Sequence, residues 1–265
     1  MRALEDFLKS ISLNPIYRFL GKRKEKKCFT GDPIVIFAAP RSGTTLLLSI
    51  LDAYPNIYSI PEQTYGLARW KEKNGKVYPD RIDRIYRELL KRKIPETKTR
   101  WCEKTPRHIK HIKSILEYMP NVKAIHIVRD GRDVVTSKHP KHRPDEYWTS
   151  INRWVTDVGI GLEYANSPQV LTVRYEDLIY NFDEEIKKIS YHLEEDFVPS
   201  RDEWTKLTSL KKSKHWDKPV QNLYSKSIGR WKKPEHAKRM EEFMSNPKAV
   251  ELMKKLKYIE EDTNE

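Results

Sequence analysis

Pro33-Ile34-Val35-Ile36-Phe37-Ala38 runs through Ala39 into Pro40-Arg41-Ser42-Gly43-Thr44-Thr45, and Leu46-Leu47-Leu48-Ser49-Ile50-Leu51 follows. The first segment is a continuous apolar, β-branched run, the pattern of a strand buried on both faces of a parallel sheet. It is expected to be the central strand. The leucine-rich segment predicts a helix from Thr45 to Tyr54, ended by Pro55-Asn56. Between them lies a short polar loop with one glycine. Strand, loop and helix in this order place free backbone N–H groups at a helix N-terminus, where their dipoles converge on an anion.

A second unit of the same kind spans Asn121 to Ser137. Val122-Lys123-Ala124-Ile125-His126-Ile127-Val128 predicts a strand, and Arg129-Asp130-Gly131-Arg132-Asp133 the turn into another helix. A third strand is expected at Gln169–Arg174. Helical patterns fall at Arg81–Lys91, Pro106–Tyr118 and Glu146–Tyr164, and the chain from Phe182 onward reads as mostly helical. Strands alternating with helices predict an α/β fold: a single P-loop-like domain with a central parallel sheet flanked by helices. Its expected extent is 33–265, after an N-terminal helix and basic linker over 1–32.

The 265 residues are 38% hydrophobic and 11% aromatic, enough for one sizeable core. A formal charge of +13 predicts a surface that attracts anions: phosphates, acidic acceptors, nucleic acid or an anionic membrane. Cys28 and Cys102 are too few for a disulfide framework. No stretch reaches the roughly 20 apolar residues of a membrane span, so a cytoplasmic protein is expected. Leu4, Phe7, Leu8 and Ile11 fall at helical spacing ahead of Lys22-Arg23-Lys24 and Lys26-Lys27. That arrangement leaves two readings of residues 1–27, a packed helix or a peripheral membrane contact, with the packed helix preferred.

Compared with the nucleoside-triphosphate loop G-x-x-x-x-G-K-[ST], the chain keeps Gly43 and Thr45 but has Ala38 for the first glycine and Thr44 for the lysine. The loop's cation is Arg41, before the glycine. The segment P-R-S-G-T-T resembles the 5′-phosphosulfate loop of the sulfotransferases that use 3′-phosphoadenosine-5′-phosphosulfate (PAPS). In that family an arginine and a serine like Arg129 and Ser137 of V-R-D-G-R-D-V-V-T-S hold the 3′-phosphate. A solvated salt bridge from Arg129 to Asp130 or Asp133 is the structural alternative. The resemblance extends to Val173-Arg174-Tyr175-Glu176-Asp177-Leu178, to Glu103-Lys104-Thr105-Pro106, and to Ser225-Lys226-Ser227-Ile228-Gly229-Arg230-Trp231. Arg41 in place of a lysine, and Leu46 where the cytosolic small-molecule branch has tryptophan, bring the chain closer to the tyrosylprotein, carbohydrate and bacterial branches.

The resemblance implies a reaction and a set of roles. A sulfuryl group passes in line from PAPS to an acceptor hydroxyl, leaving PAP, with no metal required. Arg41, Ser42, Gly43, Thr44 and Thr45 would hold the 5′-phosphate. Arg129, Ser137, Tyr175, Lys226, Ser227 and Arg230 would surround the 3′-phosphate end. Arg41 and Lys104 would stabilise charge on the leaving group, and Glu62 in Ile60-Pro61-Glu62-Gln63-Thr64 would take the acceptor proton. Glu103, His108 and His139 are reserve bases. Glu62 as a mere helix cap, and Lys104 as an ordinary exposed lysine, are the structural alternatives.

The partners expected are the nucleotide donor and a hydroxyl acceptor, of acidic character if the basic surface recruits it, with no nucleic acid. Tyr147, Trp148, Arg153 and Trp154 are candidate acceptor contacts, although helical amphipathicity accounts equally for the tryptophans. His108, His111, His126, His139 and His142 lack the partners of a metal site. Two other functions remain open on the residues: a P-loop kinase, opposed by Thr44, and a basic binding module using Lys22–Lys27 and Lys211-Lys212-Ser213-Lys214-His215.

Overall fold

The computed structural model describes residues 14–138, 145–210, 223 and 225–260. Helix α1 (Asn14–Cys28) precedes strand β1 (Ile34–Phe37), helix α2 (Thr44–Asp52) and the short strand β2 (Ile57–Ser59). A hairpin of β3 (Trp70–Lys73) and β4 (Lys76–Pro79) leads to α3 (Asp83–Leu90) and β5 (Arg100–Lys104). A 3-10 turn at Pro106–His111 enters α4 (Ile112–Tyr118), and β6 (Lys123–Val128) enters the short α5 (Gly131–Val135). After α6 (Ile151–Leu162) come β7 (Val170–Arg174), α7 (Tyr175–Tyr180), α8 (Phe182–Leu193) and α9 (Arg201–Leu207). Helices α10 (Ala237–Met244) and α11 (Pro247–Lys255) close the described chain.

Five strands form one parallel sheet in the order β2-β5-β1-β6-β7. β1 is central, as its apolar run predicts. Ile34 and Ile36 pack on one face with Leu47, Leu48, Leu51 and Trp204, while Val35 and Phe37 pack on the other with Trp101, Ile109 and Ile112. The period-two alternation of a strand sends successive residues into two cores, which is why all four must be apolar. A third cluster around Trp154, Phe243 and Met253 fastens α10 and α11 against α5 and α6.

The register aligns the C-terminal strand ends: Ile36 lies beside Lys104 on β5 and Ile125 on β6, and Val128 lies beside Arg174 on β7. The phosphate loop, Lys104, Arg129 and Tyr175 therefore emerge along one edge of the sheet, the edge where open parallel sheets bind ligands.

Several expectations are corrected. The basic residues Lys22–Lys27 are not a linker but the last turns of α1. That helix is pinned by Glu25, which accepts hydrogen bonds from Tyr86 (3.0 Å) and Trp101 (2.8 Å). Pro106–Tyr118 is split into a 3-10 turn and a helix. Glu146–Tyr164 becomes helical only at Ile151, where the Ser150 side chain caps the Arg153 N–H. Strands β2 and β5 and the hairpin are additional elements. Among the described residues no helix is long and apolar enough to cross a membrane. The apolar pattern at 4–11, His139, His142 and the run 211–215 lie outside the described residues.

Candidate active site

The loop between β1 and α2 takes its shape from two left-handed residues, Arg41 (φ 71°) and Gly43 (φ 95°). Such an alternation turns successive N–H groups toward one point, a nest for an anion. Gly43 is also required sterically, because a Cβ there would stand 2.3 Å from Cδ2 of Tyr175. Among the described residues no side chain caps the N-terminus of α2. The Ser42 hydroxyl is buried and has no hydrogen-bond partner among the described residues. Uncapped N–H groups and an orphaned buried hydroxyl leave the loop short of the acceptor that a phosphate would supply.

Arg129, at the end of β6, closes the second half of the cradle. Its Nη1 donates to the Arg41 carbonyl (3.3 Å), its Nη2 donates to the Ser227 carbonyl, and its guanidinium lies 4.5 Å from the centre of the Tyr175 ring. The Tyr175 and Ser227 hydroxyls are hydrogen-bonded to each other at 2.8 Å. Nε of Arg129 is buried and unpartnered among the described residues.

Arg230 is near enough that Arg129, after burial itself, lowers its guanidinium pKa. Arg41 is exposed at the rim, yet desolvation by the surrounding protein and then repulsion from Arg230 and Arg129 lower its pKa as well. Three mutually repelling guanidiniums would be stabilised by an anion placed among them.

Asp133 is a residue whose role the sequence reading missed. Its carboxylate accepts the N–H groups of Gly229 (2.8 Å) and Trp231 (3.2 Å) and stands 3.7 Å from Arg129 Nη2. The pairing of Arg129 with Asp133 is therefore real but buried, and it ties the late loop to α5. Arg132, held on Asp130 at 2.8 Å, stacks over Trp231 at 4.1 Å. Ser137 is buried and returns its hydroxyl to the Asp133 carbonyl at 3.0 Å. Lys226 lies in the turn Ser225–Ser227, with its side chain outside the described set.

Lys104 is not an exposed lysine. It is 1% exposed, with Nζ 3.5 Å from Thr45 Oγ1. Burial lowers its pKa to about 8, against the opposing pull of Glu103 and then Glu62. Glu62 is half-buried on the segment between β2 and β3, near enough to act on Lys104. Of the reserve bases, Glu103 and His108 are fully buried and bound to one another. Trp154 is core, 5.4 Å from Phe243, whereas Trp148 remains partly exposed after its N–H bonds the Ser137 carbonyl at 2.8 Å.

A parallel α/β sheet whose C-terminal edge carries an anion nest, three converging arginines and a buried lysine is an arrangement suited to an anionic ligand. Residues 67–199, half of the chain, match the model of the sulfotransferase family, and the chain belongs to that family. A Caenorhabditis briggsae protein named as a candidate protein-tyrosine sulfotransferase is 28% identical over 182 residues, 61% of this chain and 65% of that one. The chain spans less than two thirds of the length of the curated relatives it matches.

The fold is shared with a mouse sulfotransferase crystallised with PAP (TM-score 0.56, 18% identity, covering 89% of this chain and 92% of that one). It is also shared with the sulfotransferase domain of a Synechococcus olefin synthase (TM-score 0.54, 19% identity, covering 88% and 97%).

Proposed function

We propose that this protein transfers a sulfuryl group from PAPS to an acceptor hydroxyl. The observation that carries the reading is the convergence of Arg41, Arg129 and Arg230 on a cradle whose Ser42 hydroxyl and Arg129 Nε are buried without partners among the described residues. These residues suit a nucleotide phosphorylated at both ends. The nest at Ser42–Thr45 would hold the 5′ side. Arg129, Ser137, Tyr175, Ser227, Arg230 and Lys226 would hold the 3′ side. PAPS, when bound, supplies the sulfuryl group and a phosphate leaving group.

The chain's own residues then divide the work. Lys104, protonated at neutral pH and stripped of water, presents positive charge beside Thr45, where a leaving oxygen gathers negative charge. Arg41 adds a second cation from the rim. Glu62 is the base that takes the acceptor proton, and its carboxylate helps keep Lys104 charged until it does so. A triphosphate kinase would need a lysine where Thr44 stands.

Incubation with radiolabelled PAPS and a panel of tyrosyl peptides, sugar alcohols and phenols tests the reading. Label should move to at least one hydroxyl in the presence of EDTA. No transfer to any of them by protein that binds PAP would contradict it.

A further inference from the structure

The segment that carries Glu62 has no regular structure, yet four consecutive N–H groups in it are bound. Thr64 N–H donates to Glu103 Oε1 (3.1 Å), Tyr65 N–H to Thr105 Oγ1 (3.3 Å), Gly66 N–H to Thr64 Oγ1 (3.0 Å) and Leu67 N–H to His108 Nε2 (3.4 Å). All four acceptors are side-chain atoms. Three belong to the stretch Glu103–His108, and the fourth, Thr64 Oγ1, itself donates to Glu103 Oε1 at 2.8 Å.

Glu103 is the hub. Its Oε1 also accepts from Thr105 Oγ1 (2.6 Å), and its Oε2 faces His108 Nδ1 at 3.0 Å. Because Leu67 N–H points at Nε2, the proton of a neutral His108 belongs on Nδ1, facing the carboxylate. Glu103, Thr105 and His108 are all completely buried. A fully buried carboxylate is costly unless its oxygens are engaged, and here Oε1 takes three hydrogen bonds from Thr64 and Thr105 while Oε2 faces the His108 imidazole.

We infer that Glu103, acting with Thr105 and His108, is a positioning residue that fixes segment 62–67 and so sets Glu62 against Lys104. Neighbouring residues of β5 thereby serve two parts of the site: Glu103 clasps the segment bearing the base, and Lys104 reaches toward the phosphate loop. The inference rests on the proposed sulfuryl transfer for its kinetic consequence, but not for the clasp itself.

Two variants test it. Thr64→Val keeps the backbone bond and volume and removes only the hydroxyl links. Glu103→Gln turns one acceptor into a donor opposite His108 Nδ1 and forces the imidazole proton toward Leu67 N–H. Amide hydrogen exchange over 62–67 should accelerate by about tenfold or more in both.

Transfer from PAPS to phenol should fall on the order of 10- to 100-fold, with PAPS KM and PAP affinity within about threefold of wild type. Unchanged exchange in Thr64→Val would overturn the inference. So would faster exchange with undiminished transfer, or a parallel loss of PAP affinity, which would make the network a support for the whole site. If wild-type protein neither binds PAP nor transfers label, the functional reading fails, while the exchange result still decides the clasp.

Discussion

Arg129 lies over the ring of Tyr175 at 4.5 Å, and the same ring stands where a side chain on Gly43 would have to go. One aromatic residue at the start of α7 thus couples the two halves of the cradle, the loop after β1 and the arginine after β6. The ring sets the height of the loop and the plane of the guanidinium, and its hydroxyl reaches Ser227 on the late loop.

Gly43→Ala should therefore be severe. A left-handed alanine costs about 1–2 kcal/mol, and overpacking against Tyr175 adds about 1–3 kcal/mol. Thermal denaturation should show the loss, and calorimetry should show PAP binding reduced beyond what Tyr175→Phe causes, since phenylalanine retains the ring. A Gly43→Ala protein with wild-type stability would show that the loop is not fixed by this contact.

The loop after β1 and the turn after β6 were legible because each follows an apolar run that can only be an inner strand. β5 was not: Arg100, Glu103 and Lys104 give it the polarity of a surface segment, and their compatibility with a buried strand depends on partners far along the chain. Arg100 needs Glu195 at 2.7 Å, and Glu103 needs Thr64 and His108. The β3–β4 hairpin did announce itself through Asn74-Gly75, both left-handed, a pair suited to a two-residue hairpin turn that went unread. Asp133 stood in a quoted motif, but the N–H groups it binds lie nearly a hundred residues on, at Gly229 and Trp231.

Lys104→Met should separate stability from activity. The shift from 10.5 to about 8 means that charged Lys104 destabilises the ligand-free fold by about 3 kcal/mol. The methionine variant should melt higher at pH 7 while losing on the order of 10²-fold or more in transfer.

The sign with pH follows. Between pH 8 and 10.5 the unfolded lysine holds more protons than the folded one, so the penalty shrinks as pH rises and the stability gap between variant and wild type closes. Wild-type transfer, which uses the charged form, should decline as pH rises through about 8. A gap that is constant across this window would contradict the assignment.

Glu62→Gln should cost on the order of 10²- to 10⁴-fold in turnover with PAP affinity retained, because its proposed task concerns only the acceptor proton. Single-turnover transfer to phenol, measured beside PAP titration, checks this. Undiminished turnover would remove Glu62 from the chemistry.

The central claim is that the cradle holds a nucleotide phosphorylated at both ends. Calorimetric titration of wild-type protein and Arg129→Ala with PAP and 5′-AMP, in EDTA, tests it most directly. Two charge-assisted contacts to the extra phosphate should make PAP bind about 100-fold or more tighter than 5′-AMP in wild type, with most of that gap gone in Arg129→Ala. Equal affinities in wild type, or a gap untouched by the substitution, would contradict the account.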